Sequence, residues 1–68
     1  MNQYIRSRVK SLSKSLNKSD IITIFWELDG IYSGSTVTNF NAINRQVHDL
    51  SSNGYDVIDI VSGSRFGS

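Results

Sequence analysis

The chain has 68 residues, a net charge of +1 and no cysteine, so disulfides and thiolate metal sites are excluded. Hydrophobic residues make up 38% and charged residues 19%, a composition that collapses into a globule and lies far from the highly charged regime of disorder. A domain of this size buries only about 60% of the surface its unfolded chain exposes, which favours extra stabilisation through self-association.

Charge is unevenly spread. Arg6, Arg8, Lys10, Lys14 and Lys18 all precede the first acid, Asp20. From there on six acids face two bases, a net charge of −4. This polarity suggests an anionic partner or an electrostatic match within the molecule. Residues 1–18 lack the continuous apolar stretch of a secretory leader. The longest apolar-leaning run, Ile21 to Leu28, is interrupted by Thr23 and Glu27 and falls well short of the roughly 20 residues that cross a bilayer. The expected setting is cytoplasmic, with no membrane partner.

Ile5, Val9, Leu12 and Leu16 recur at helical spacing, predicting an amphipathic helix over about residues 3–17. Arg6, Lys10 and Lys14 form a basic ridge on its other side. Residues 21–28 are rich in β-branched and aromatic side chains and predict a strand. Ile22, Ile24, Trp26 and Leu28 share one face, and a largely apolar second face (Ile21, Thr23, Phe25, Glu27) suggests a central position or cover on both sides. Asp29-Gly30 marks a tight turn. A short strand at 31–33 is allowed but should end quickly at Gly34 and its serines. Ser33-Gly34-Ser35-Thr36 reads as a loop leading to a helix cap, since no Walker lysine accompanies it.

Phe40, Ile43, Val47 and Leu50 predict a second helix over about 38–52, with Thr36 or Thr38 as N-cap and Gly54 as its left-handed stop. Tyr55 to Val61 alternates as a strand whose more uniformly apolar face is Ile58 and Ile60. Residues 62–68 read as a flexible Gly/Ser tail to a single domain of residues 1–61. The fold class is α/β in the broad sense, or α+β: an N-terminal amphipathic helix and a two- or three-stranded sheet with a second helix packed on it, in the order α-β-(β)-α-β. Were the two main strands joined as neighbours through the second helix, they would form a right-handed parallel crossover.

The pattern Leu50-Ser51-Ser52-Asn53-Gly54-Tyr55-Asp56-Val57-Ile58 resembles, over residues 40–61, the DUF4177 family of small proteins, in which a helix ending in Leu, a small or polar pair and Gly is followed by an aromatic, an acid and an alternating apolar strand. The resemblance implies a local fold and no chemistry.

No catalytic or cofactor constellation emerges. His48 is the lone histidine, no Gly-x-Ser-x-Gly elbow surrounds a serine, and Asp56 and Asp59 are spaced to point to opposite faces of a strand. An enzyme is not expected, and no cofactor or metal is implied. The leading expectation is a protein-interaction module, most simply a homodimer through a strand edge or face to face. Size and class point to a small regulator or inhibitor of a larger protein, of phage or mobile-element type. Phe25, Trp26, Tyr32 and Tyr55 are its candidate interface. The alternative is a nucleic-acid-binding protein using Arg6, Arg8, Lys10, Lys14 and Lys18.

Overall fold

The computed structural model describes residues 2–63. Along the chain run α1 (Gln3–Leu12), β1 (Ile21–Leu28), β2 (Tyr32–Asn39), a 3₁₀ turn (Phe40–Ala42), α2 (Ile43–Ser52) and β3 (Asp56–Ser62). The result is a mixed α+β fold with a three-stranded sheet in the order β2-β1-β3, both pairings antiparallel.

Helix α1 starts where Asn2 accepts the Ile5 N–H at 2.8 Å, supplying a partner to one of the orphan donors of the first turn. Its end, at Leu12, comes well before the end that the periodicity predicts. The Ser13 hydroxyl donates back to the Lys10 carbonyl at 2.7 Å, a competing bond of the kind serines offer within helices. The chain then tightens into turns bonded from Lys14 to Ser11 and from Ser15 to Leu12. Leu16 still packs on the core, so its apolar spacing is satisfied without a continuous helix.

Asp29 and Gly30 both adopt positive φ, 56° and 69°, and the Ile31 N–H closes the turn onto the Leu28 carbonyl at 3.1 Å. Two left-handed residues in succession match the right-handed twist of a hairpin. The segment after this turn departs from expectation. Instead of a brief strand at 31–33 and a loop, all of Tyr32–Asn39 pairs with β1, from Leu28↔Tyr32 to Ile21↔Asn39, without a bulge. The Ser/Gly content is overridden by this ladder and by the β-branched run Thr36-Val37-Thr38. Thr36 and Thr38 are therefore strand residues and not caps, and α2 begins later, at Ile43. A complete β2 also reverses the chain before α2, which is why β3 lies beside β1 antiparallel to it and the parallel crossover between these two strands does not form.

Gly54 closes α2 as its sequence predicts. Its φ is 88°, its N–H donates to Ser51, and the Tyr55 N–H donates to Leu50, the paired bonds that satisfy the last carbonyls of a helix. In β3 the register shifts between Phe25↔Asp59 and Trp26↔Val57, so Ile58 is an extra, bulged residue. This overturns the expected Ile58/Ile60 face: Val57 and Ile60 are buried, and Ile58 is 44% exposed. Beyond Val61 the sheet continues. Ser62 belongs to β3, and Gly63 donates to the Ile21 carbonyl at 2.7 Å while accepting from the Thr23 hydroxyl at 2.7 Å. The start of the expected tail is thus part of the ladder, and 64–68 lie outside the described residues.

Both helices cover the same side of the sheet. The core joins Ile5 and Leu12 of α1, Ile43 and Val47 of α2, Ile22 and Ile24 of β1, and Val57 and Ile60 of β3. β1 is central, as its two apolar faces suggest, but no described helix covers its second face. Ile24 is fully buried. Ile24→Ala should cost about 2–5 kcal/mol, against a total of about 3–10 kcal/mol for a domain of this length; equilibrium denaturation monitored by circular dichroism should show most of the stability lost.

Candidate interaction surface

The basic ridge is shorter and poorer than the sequence implies. Arg6 and Lys10 project from the exposed side of α1, whereas Lys14 and Lys18 lie in the turns beyond it, also exposed. Arg8 leaves the group altogether. Its guanidinium donates through Nε (3.2 Å) and Nη2 (2.8 Å) to the Ile60 carbonyl and lies 3.6 Å from Asp59. One part of the charge asymmetry is therefore matched inside the molecule, between the basic first helix and the acidic last strand.

Tyr4, one helical turn before Arg8, donates its hydroxyl to the same Asp59 carboxylate at 3.0 Å. Together Tyr4 and Arg8 fasten α1 along the outer side of β3. The hydrogen bond to Asp59 pushes the Tyr4 phenol above its ordinary range, with smaller contributions from burial and the Asp59 charge and an opposing one from Arg8. Because the folded value is raised, this contribution to stability is complete below the unfolded value and is lost as pH rises through the folded one. Ultraviolet titration of tyrosinate should show one phenol ionising late. Tyr4→Phe should remove that phenol from the curve, and Asp59→Asn should return it towards its ordinary range.

The aromatic candidates separate into different environments. Trp26 lies on the helix side of the sheet, half-buried. Its Nε1 donates to the Thr36 hydroxyl at 3.1 Å, and its ring meets Tyr55 edge-on with centroids 4.8 Å apart. Trp26 also covers its cross-strand neighbour Gly34, where an added Cβ would come within 2.7 Å of two ring carbons. Trp26 and Tyr55 thus satisfy each other and close one end of the core. Phe25 is half-buried on the opposite sheet face, and Tyr32 is 65% exposed. The four residues do not form one patch.

Because the Thr36 hydroxyl and the Tyr55 ring both hold the Trp26 ring, moving it aside from a methyl group at residue 34 costs these contacts. Gly34→Ala should therefore destabilise by about 1–3 kcal/mol. Thermal melts should show the loss, and Trp26→Val should suppress the additional cost of Gly34→Ala.

The outer edge of β2 escapes sequence reasoning, because Tyr32–Asn39 reads locally as a short strand, a loop and a helix cap. The Phe40 N–H donates to the Asp20 carbonyl at 2.8 Å, just past Ile21↔Asn39. Since hydrogen-bonded pairs alternate along an antiparallel ladder, Tyr32, Gly34, Thr36 and Thr38 turn their backbone groups towards β1. Ser33, Ser35, Val37 and Asn39 turn theirs outward. No described strand pairs with these outward backbone groups. This strand has no charge and no proline, the usual defences of an exposed edge. The other edge is treated differently: β3 carries a bulge at Ile58, and Arg8 occupies the Ile60 carbonyl.

Two surface cavities frame the helices. One, of about 560 Å³, has Glu27, Ser51, Tyr55 and Asp56 among its lining residues. Glu27 and Asp56 face each other across the β1–β3 ladder, a like-charge pair with no base among the residues that line the cavity. The second, of about 500 Å³, lies between Val9, Phe40 and Ile43 with Lys18 at its side. His48 is exposed, and no group of three or more metal-ligating residues occurs among the described residues. No helix among them is long and apolar enough to cross a membrane.

No family model, curated protein or solved structure matches the chain.

Proposed function

We propose that this chain is a non-enzymatic, cytoplasmic protein-interaction module, a small accessory regulator that binds another polypeptide by strand addition. The observation that carries the reading is the contrast between the two sheet edges. β3 is fastened by α1, while β2 presents four outward-facing residues with neither charge nor proline to discourage a further strand. Strand addition draws affinity from backbone hydrogen bonds and specificity from alternate side chains. Along β2 those side chains are Tyr32, Gly34, Thr36 and Thr38 on the helix side, and Ser33, Ser35, Val37 and Asn39 on the other.

The nucleic-acid alternative retains Arg6, Lys10, Lys14 and Lys18 but loses Arg8 to the Ile60 carbonyl and Asp59. Selection of extended peptides from a displayed library, followed by amide chemical-shift mapping, separates the two readings. Binders should perturb Ser33, Ser35, Val37 and Asn39, and Val37→Pro should abolish their binding. Failure to select any binder at this edge, together with salt-sensitive oligonucleotide binding that disappears in the Arg6→Ala/Lys10→Ala/Lys14→Ala variant, would overturn the proposal in favour of the basic surface.

A further inference from the structure

Resting on the reading of β2 as a strand-addition edge, we infer that its occupant is a second copy of the same chain. The two β2 strands pair antiparallel about a two-fold axis at Thr36 to form a continuous six-stranded sheet.

The register follows from the backbone. Outward-facing groups on β2 belong to Ser33, Ser35, Val37 and Asn39, and an antiparallel partner must bring its own outward-facing residues opposite them. Centring the axis on Thr36 places Ser35 opposite Val37 of the second copy and Ser33 opposite its Asn39. By symmetry Val37 and Asn39 are satisfied in return, so all four residues are paired. A one-residue shift in register would set outward-facing residues against inward-facing ones, and the ladder would not form.

The side chains agree with this register. On the helix side Thr36 meets its own copy, a favourable cross-strand pair. Gly34 falls opposite Thr38, and Tyr32 opposite Phe40 just beyond the strand. On the other face Ser35 meets Val37, and Ser33 meets Asn39. Because β2 is uncharged, the two-fold axis brings no like charges together within the paired strands. An isologous contact needs this self-complementarity, and β3 cannot supply it: its outer edge is bent by Ile58 and occupied by Arg8. The helices pack mainly over β3, at the far side of the sheet from the proposed axis. A regulatory target would reach β2 by displacing the second copy.

Light scattering and sedimentation across a dilution series test the proposal. The unaltered chain should show twice its 7.6 kDa mass, dissociating on dilution. Val37→Pro should be monomeric with an unchanged circular dichroism spectrum, because the N–H removed faces outward and proline is tolerated on an edge. A cysteine at the axis supplies a second readout. In this cysteine-free chain Thr36→Cys can form a disulfide only between copies, and it should cross-link far faster than Ser33→Cys, whose two copies lie apart in the proposed register. A monomer at millimolar concentration, a dimer unaffected by Val37→Pro, or equal cross-linking at the two positions would overturn the inference. If peptides still bound at Ser33 to Asn39 in those cases, only self-pairing would have failed and strand addition would stand.

Discussion

The structure depends on the burial of one apolar layer between two short helices and a three-stranded sheet. Ile22 and Ile24 of β1 sit at its centre, fully buried, and each helix contributes only a few large aliphatic side chains to cover them. With so little apolar surface to bury, neither helix has reason to persist alone; each is ordered by docking its stripe. Polar fastenings then define where the helices end and where they lie. Asn2 begins α1, Ser13 turns its end, Gly54 closes α2, and Tyr4 and Arg8 tie α1 to the outer strand.

A central strand with two antiparallel neighbours leaves two edges, and the chain treats them unequally. At β3, a side chain from the N-terminal helix reaches across 52 positions of sequence to occupy the Ile60 carbonyl, while the bulge at Ile58 interrupts the regular outer row. At β2 the ladder is regular along its whole length and its outer groups meet no described strand. The physical cost of leaving backbone donors and acceptors on an uncharged edge is an open template for pairing, and this gives the fold a directional surface although its aromatic side chains are dispersed.

The charge asymmetry acquires a specific meaning in the fold. Arg8 and Asp59, remote in sequence, are neighbours in space, and Tyr4 shares the same carboxylate. Exposed ion pairs contribute little on their own, and this one is partly exposed on both sides. Its guanidinium also serves a strand carbonyl, so its chief consequence is to position α1 along the edge of β3. The other cations of the first 18 residues, Arg6, Lys10, Lys14 and Lys18, are left exposed to solvent.

Local chemistry made much of the architecture legible. The apolar spacing of Ile5, Val9 and Leu12, the aromatic and β-branched run of residues 21–28, the Asp29-Gly30 turn and the Gly54 stop each depend on neighbours within a turn or two, so the sequence by itself determined the two helices, the central and last strands and their order, α-β-(β)-α-β, with the second strand left open. The candidate surface was illegible because a Ser/Gly/Thr segment has no strong preference of its own; Tyr32–Asn39 becomes a strand only when β1 lies beside it. The same holds for Ile58, whose displacement comes from the register of β3 against β1, and for Arg8, whose partner is 52 residues away. Strand direction, the bulge and the difference between a fastened edge and an open one were decided by the tertiary structure, because each arises from hydrogen-bond pairing between segments that local sequence cannot see.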